Sequence, residues 1–287
     1  YDSLLSQTIQ GWEWVIVANG DQETKVFSEA YKTTLGDRRV RVFNYPKDQP
    51  QDSIGSLKKF AVSKCTGDVF VELDHDDQLT PDCLEQVRLV LGDEKNAFVF
   101  SDSALIQDDG KSTVFSSDYG WKPPYVENDF YVNKTFPVTP ASLACIAYCP
   151  DHVRCWTRGA MESSGGYSDL KLGDDHDLMV RTYLAGSKFI KIPKCLYYHR
   201  LRSTSTSKLK NDEISQQSLR TRDASFYPLV EEWCRRESLL KIDLGGLHGC
   251  PDGWIPVDQD ERVCDLDYGI CADAVDDNFS EYLYSVL

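Results

Sequence analysis

Three carboxylates within four positions, Asp74, Asp76 and Asp77, directly follow the apolar run Val69-Phe70-Val71-Glu72-Leu73. Like charges this close repel one another, and a divalent cation relieves the repulsion. Carboxylate oxygens are hard ligands suited to Mg²⁺ or Mn²⁺. The plainer alternative is a solvated turn that caps the next helix. Placement speaks for chemistry, because ligands of open α/β sheets bind outside the carboxyl ends of the strands. A second acidic group, Asp174 and Asp175 in Gly173-Asp174-Asp175-His176-Asp177-Leu178, opens a helical pattern. The helix dipole also favours carboxylates there, so capping is the alternative. A third group is Tyr197-Tyr198-His199-Arg200, then Arg202-Ser203-Thr204-Ser205. Basic and hydroxyl side chains on one loop are suited to clamping a diphosphate; a solvated loop is the alternative.

These groups need elements to position them. Residues 14–18 read as a strand buried on both faces, ended by a turn at Asn19-Gly20-Asp21. A helical pattern then runs to about Leu35, and residues 40–43 read as a second strand. Residues 53–64 read as a helix and 69–73 as a third strand. Thr80 is the expected N-cap of the next helix, with Pro81 at its first position. Residues 97–100 read as a fourth strand. Strands alternating with helices imply a parallel, doubly wound α/β sheet. Residues 107–140 read as a long, functional loop region. Beyond it, 143–148 read as a strand, 151–161 as a helix, and Gly165-Gly166 as a break. Residues 174–184 are helical, 189–192 and 196–198 are two short strands around Pro193, and 211–236 form a long helix.

The 287-residue chain is 41% hydrophobic and 27% charged, a globular composition. Its formal charge of −15 excludes nucleic acid as a main partner. No apolar run is long enough to span a membrane. Ten cysteines are present without a C-x-x-C pair, which argues against zinc. Cys145, Cys195 and Cys234 fall in apolar segments and read as small hydrophobes, consistent with a reducing, cytoplasmic compartment. Residues 243–287 hold eleven acids against one Arg, so a boundary is expected near 230–242.

Ser3-Leu4-Leu5-Ser6-Gln7-Thr8, then Trp12-Glu13-Trp14-Val15-Ile16-Val17, resembles the opening of family 2 glycosyltransferases with the GT-A fold. Thr66 to Asp77 resembles the family's D-x-D-D segment, Gly173 to Arg181 its acidic helix start, and Tyr198 to Ser207 its closing basic–hydroxyl loop. The resemblance covers roughly residues 1–208. It implies metal-dependent, inverting transfer of a sugar from a nucleotide-diphosphate donor to a glycan, lipid-linked glycan or other hydroxyl acceptor. It places Asp74, Asp76, Asp77 and His199 at the Mn²⁺ or Mg²⁺. It places Asn19, Lys58, Asp74, Asp76, Arg200 and Arg202 at the nucleotide sugar. Asp175 is the implied catalytic base with Asp174 its neighbour. Trp156, Gly166 and Tyr167 are the implied acceptor contacts, with core packing the alternative for Trp156. The family's first strand and the start of its first helix are absent, and Ala18-Asn19 replaces a frequent Asp-Asp. A sugar-nucleotide pyrophosphorylase and a degenerate carbohydrate-binding module are the competing readings; the presence of Asp76 and Asp175 weighs against the second.

Leu239 to Gly246, then Gly253 to Asp258, resembles the start of a class I methyltransferase-like domain, with Asp258 as its ribose-binding acid. Gly245-Gly246-Leu247-His248-Gly249 lacks a clean G-x-G, and S-adenosylmethionine is not an expected cofactor of this chain. The expected organisation is a transferase domain over 1–210, a connecting helix over 211–238 and a truncated second α/β domain over 239–287.

Overall fold

The computed structural model describes residues 1–19, 34, 36–107, 109–114, 124–147, 149–202, 205–245, 250, 252–266 and 270–271. The expected helix before Leu35 lies outside them, as do Tyr148, Ser203, Thr204 and the glycine-rich stretch 246–249. Two compact units emerge, Tyr1–Phe226 and Tyr227–Leu287.

In the first unit, α1 (Asp2–Leu5) precedes β1 (Trp14–Ala18) and β2 (Val40–Asn44), which pair in parallel as a two-stranded sheet. Next come α2 (Ile54–Lys64), β3 (Val69–Val71), β4 (Gln78–Leu79), α3 (Cys83–Leu91) and β5 (Ala97–Ile106). All ten residues of β5 are buried. Its alternation supplies both layers of core: Ala97 and Val99 pack with Val87, Cys155 and Leu196, while Phe98 and Phe100 pack with Trp156, Leu178 and Met179. Further along are β6 (Ser112–Thr113), β7 (Tyr125–Glu127), β8 (Phe130–Asn133), α4 (Pro140–Cys145), β9 (Arg154–Thr157), α5 (Arg158–Ser163), α6 (Asp174–Leu184) and β10 (Lys188–Arg200). The main sheet runs β3-β9-β5-β10-β4.

The sheet is mixed rather than parallel throughout. β10 runs parallel to β5, but β9 lies antiparallel between β3 and β5, and β4 is antiparallel to β10. The expected helix over 151–161 is therefore strand β9 followed by α5. Cross-strand packing decides this: Trp156 stands opposite both Phe70 and Phe98. The expected strand from 143 is helix α4. Thr139 and Ser142 form its capping box, with Pro140 in the first turn. The two short strands around Pro193 are one strand, β10, whose register against β5 shifts between Ile192 and Cys195, where a proline is tolerated. Thr80 does not cap α3; Asp82 holds that position. Within 107–140, β7 and β8 form a hairpin turned by Asn128 and Asp129, both at positive φ.

Helix α2 is capped by Ser53, whose Oγ accepts from the Ser56 amide at 3.0 Å. Gly55 lets this helix touch the loop before α6: a Cβ there would stand 2.0 Å from the Ser168 carbonyl oxygen. Gly55→Ala should lower stability by about 1–3 kcal/mol, the usual cost of overpacking. Thermal denaturation checks this against Gly11→Ala, where the added methyl meets nothing within 4 Å.

After α7 (Thr206–Leu209), the long helix α8 spans Asn211–Glu237, and the division between units falls inside it. The first unit thus runs past the expected edge at 210. Ser218 of α8 donates from Oγ to His176 Nδ1, and Gln217 lies against Gly173. In the second unit, β11 (Ile242–Leu244), β12 (Ile255–Asp258) and β13 (Ile270–Cys271) form a parallel sheet in that order. Trp254 is buried there and donates from Nε1 to Glu231. All ten cysteines are free thiols; Cys195 and Cys234 are buried, but Cys145 is exposed. No helix among the described residues is long and apolar enough to cross a membrane.

Candidate active site

The D-x-D-D segment forms a tight loop after β3, in which the Asp77 amide donates to the Asp74 carbonyl at 3.2 Å. The end of β10 holds this loop. Tyr197 Oη donates to Asp77 Oδ2 at 2.8 Å and accepts from the Asp74 amide at 3.2 Å. His199 Nδ1 donates to Asp77 Oδ2 at 3.2 Å, and the Arg200 amide donates to Asp77 Oδ1 at 2.7 Å. Arg200 Nε reaches the Asp76 carbonyl at 3.1 Å, and Arg202 Nε stands 3.5 Å from the Asp76 carboxylate. The D-x-D-D segment and the closing basic loop therefore meet, as their chemistry requires. A cavity of about 590 Å³ opens beside them, lined in part by His75, Asp76, Arg200 and Arg202.

Asp77, expected at the metal, is engaged by β10 instead. Both its oxygens are occupied and it is buried. Burial would raise its carboxyl, but the hydrogen bonds from His199, Arg200 and Tyr197 hold it below the usual range. His199 is shifted the opposite way. Burial opposes its charge, yet the bond to Asp77 pushes it up to about 9. Its Nδ1 serves Asp77, so His199 is a partner of that carboxylate rather than an ion ligand in this arrangement. Asp74 is exposed and Asp76 half-buried, and these two oxygen donors remain. Among the described residues no three His, Cys, Asp or Glu side chains converge to hold an ion. Two carboxylates still fit Mg²⁺ or Mn²⁺, which is commonly held by one or two carboxylates together with substrate phosphates.

A second cluster lies at the start of α6. Gly173, at φ +71°, turns the chain into the helix. Asp175 Oδ2 pairs with Arg154 Nη1, and Asp175 Oδ1 accepts from the His176 amide at 2.8 Å. Burial opposes ionisation of Asp175, but Arg154 and Lys58 hold it well below the usual carboxylate range. Asp174 is the reverse: burial and the charge of Asp175 raise it despite Lys58. Asp175 keeps 23% of its side chain exposed against 5% for Asp174, so Asp175 is the more accessible of the two. His176 is buried, its Nε2 donating to the Leu143 carbonyl and its Nδ1 accepting from Ser218. Burial favours its neutral form. That ring ties α6 to α4 and α8.

Lys58 joins the two clusters. Its Nζ lies 2.7 Å from Glu72 Oε1 and 3.2 Å from Asp174 Oδ2. Expected at the nucleotide, it instead serves as an internal bridge. Glu72 also accepts from Tyr167 Oη at 2.6 Å and lies 3.7 Å from Arg154. Tyr167 is thus buried and bonded inward, not open to an acceptor. Trp156 is wholly buried, its indole donating to Thr182 Oγ1 at 3.1 Å. With no free face it cannot stack on a sugar, and it is a core residue. Gly166, at φ +67°, shapes the turn into Tyr167. Asn19 is an exposed residue just past β1. Glu72 and Arg154 were not anticipated. The signal was there: an acid inside an apolar strand run, and an arginine inside Val153-Arg154-Cys155-Trp156, are each costly to bury unpaired.

The sequence profile of glycosyl transferase family 2 matches residues 1–148. Hyaluronan synthase of Pasteurella multocida is 26% identical over 79% of this chain and 22% of its own length. Chondroitin synthase of the same species is 27% identical over 73% and 20%. The O-antigen biosynthesis glycosyltransferase WbnJ of Escherichia coli is 24% identical over 76% and 80%. The chain spans about a fifth of the length of the first two. Among solved structures, GalNAc-T7 with UDP, GalNAc and Mn²⁺ shares the fold at a TM-score of 0.52 and 14% identity, over 76% of this chain and 44% of that one. The chain belongs to glycosyl transferase family 2, whose members are sugar-transferring enzymes, and it has a GT-A-like fold.

Proposed function

We infer that residues 1–226 form the catalytic unit of a transferase that moves a sugar from a nucleotide-diphosphate donor to a glycan or lipid-linked glycan hydroxyl. Such donors are cytoplasmic metabolites, and the reaction is assigned to that compartment. The observation that carries this reading is the Lys58 bridge, which ties the strand leading into Asp74 and Asp76 to the helix that presents Asp175. The donor's diphosphate is assigned to the cavity beside Asp76, where Arg200 and Arg202 supply positive charge. Asp74 and Asp76 would hold a divalent cation, which when bound offsets charge on the departing nucleoside diphosphate. Asp175 takes the proton of the acceptor hydroxyl as its oxygen attacks the anomeric carbon from the face opposite the diphosphate. One displacement of this kind inverts the stereochemistry.

For residues 239–287 the reading is a methyltransferase-like segment. The parallel order β11-β12-β13, with Asp258 at the carboxyl end of β12, supports it. No cofactor is assigned to it.

The test is a screen of UDP-, GDP- and dTDP-hexoses with the full-length protein and Mn²⁺, reading nucleoside diphosphate released with and without glycan acceptors. Release dependent on both one donor and one acceptor is expected. A protein that binds glycans and turns over no donor would instead be a carbohydrate-binding module.

A further inference from the structure

The base assigned above stands on an unusual support. Arg154 is 1% exposed, on a strand lying between β3 and β5. Its Nε donates to the Pro150 carbonyl at 2.9 Å, which fixes the guanidinium plane. Nη1 reaches Asp175 Oδ2 and lies 3.7 Å from Glu72 Oε2. Arg154 Nη2 and Glu72 Oε2 are buried without hydrogen-bond partners among the described residues. A buried arginine with an unused donor is expensive, so its placement calls for a function beyond packing.

We propose that Arg154 is the positioning residue for Asp175: it fixes the carboxylate's orientation and charge before the acceptor arrives, and couples it through Glu72 to the strand that carries the D-x-D segment. The inference rests on Asp175 being the base. During transfer the acceptor O–H bond breaks and its proton goes to the Asp175 carboxylate. The acceptor oxygen forms a bond to the anomeric carbon, and the bond from that carbon to the diphosphate oxygen breaks with its electron pair. Arg154 then loses its counter-charge at Asp175, and Glu72 Oε2, already nearby, remains to balance it.

The groups facing Asp175 define what removing Arg154 does. They are Arg154 and His152 from β9 and the residues before it, Lys58 from α2, Glu72 after β3, and Asp174 and His176 on α6. Without Arg154, burial and the two other acids are opposed by fewer groups, chiefly Lys58, the His176 amide and His152. Asp175 then binds its proton more readily and the base form is lost at higher pH. For the full-length protein, the readout is kcat and KM against pH with UDP-, GDP- and dTDP-hexoses supplied one at a time. Wild type should hold its rate to lower pH than Arg154→Met, whose acid limb moves up in pH. Arg154→Lys should keep the wild-type acid limb, because the charge remains. Its kcat should fall about tenfold at unchanged donor KM, because the planar fork is lost. Arg154→Met with the wild-type profile, or Arg154→Lys with the wild-type kcat, overturns the proposal. Should the Met variant lack a cooperative melting transition, the Lys variant decides alone. Asp175→Asn, run alongside, separates the two readings: wild-type rates there would overturn the base assignment and the proposal with it. A slow Asn variant beside unaffected Arg154 variants would overturn only the proposal.

Discussion

Asp175→Asn should reduce kcat by about 10²–10⁴-fold, the usual contribution of a positioned general base, while donor affinity is retained. An amide cannot take a proton from the acceptor hydroxyl, yet it keeps the side chain's size and can still face Arg154. Asp174→Asn should behave differently. Asp174 is almost wholly buried under Lys58, away from any acceptor. Its loss weakens the bridge to Glu72 and should show first as lowered thermal stability. Donor binding measured by calorimetry, together with single-turnover rates, checks both variants. If donor affinity falls in step with rate in Asp175→Asn, Asp175 is a binding residue and the chemistry must be sought elsewhere.

Asp76→Asn should cost roughly 10²–10³-fold in turnover, in keeping with the several kcal/mol that a bound cation contributes to charge stabilisation. A chelator should reduce wild type to a similar level, and Mn²⁺ should restore it. Asp77→Asn provides the contrast. Asp77 accepts from Tyr197, His199 and the Arg200 amide. Its neutral variant should lose stability by about 1–3 kcal/mol while its residual activity still responds to Mn²⁺. Full wild-type activity in excess chelator, or an unimpaired Asp76→Asn protein, would remove the metal from the reading.

The residue types that could do chemistry were legible in the sequence, but the direction of their side chains was not. Asp76 lies against Arg200 and Arg202, because an acid at a strand end and a basic loop at the end of β10 are brought to one edge of the sheet. The resemblance implies ligand contacts for Lys58, Tyr167 and Trp156, with core packing the alternative for Trp156. Their orientation is set by what stands opposite: Phe70 and Phe98 across the strands from Trp156, and Glu72 between Lys58 and Tyr167. The same lack hid β9, since a strand holding a buried arginine shows no clean alternation until Glu72 and Asp175 are placed beside it. By contrast, Thr139-Pro140-Ala141-Ser142 and Glu127-Asn128-Asp129-Phe130 carry local signals, a capping box and a hairpin turn. Those were available to a closer reading of turn and cap chemistry.

The grip of β10 on the D-x-D-D loop has a consequence for how the protein is made. Tyr197 lies 120 residues beyond Asp77 in sequence. At a synthesis rate of about 5–20 residues per second, that separation is roughly 6–24 s on the ribosome. Until β10 emerges the acidic loop lacks Arg200 and Arg202, and β5, wholly buried in the finished fold, has no β10 along its edge. Pairing of such high contact order forms late and slowly. The nascent chain therefore passes through a stage in which the central strand is exposed and the D-x-D-D acids are unorganised. Holding that stage soluble is a task for chaperones, and codon choice that slows elongation between β5 and β10 would lengthen it.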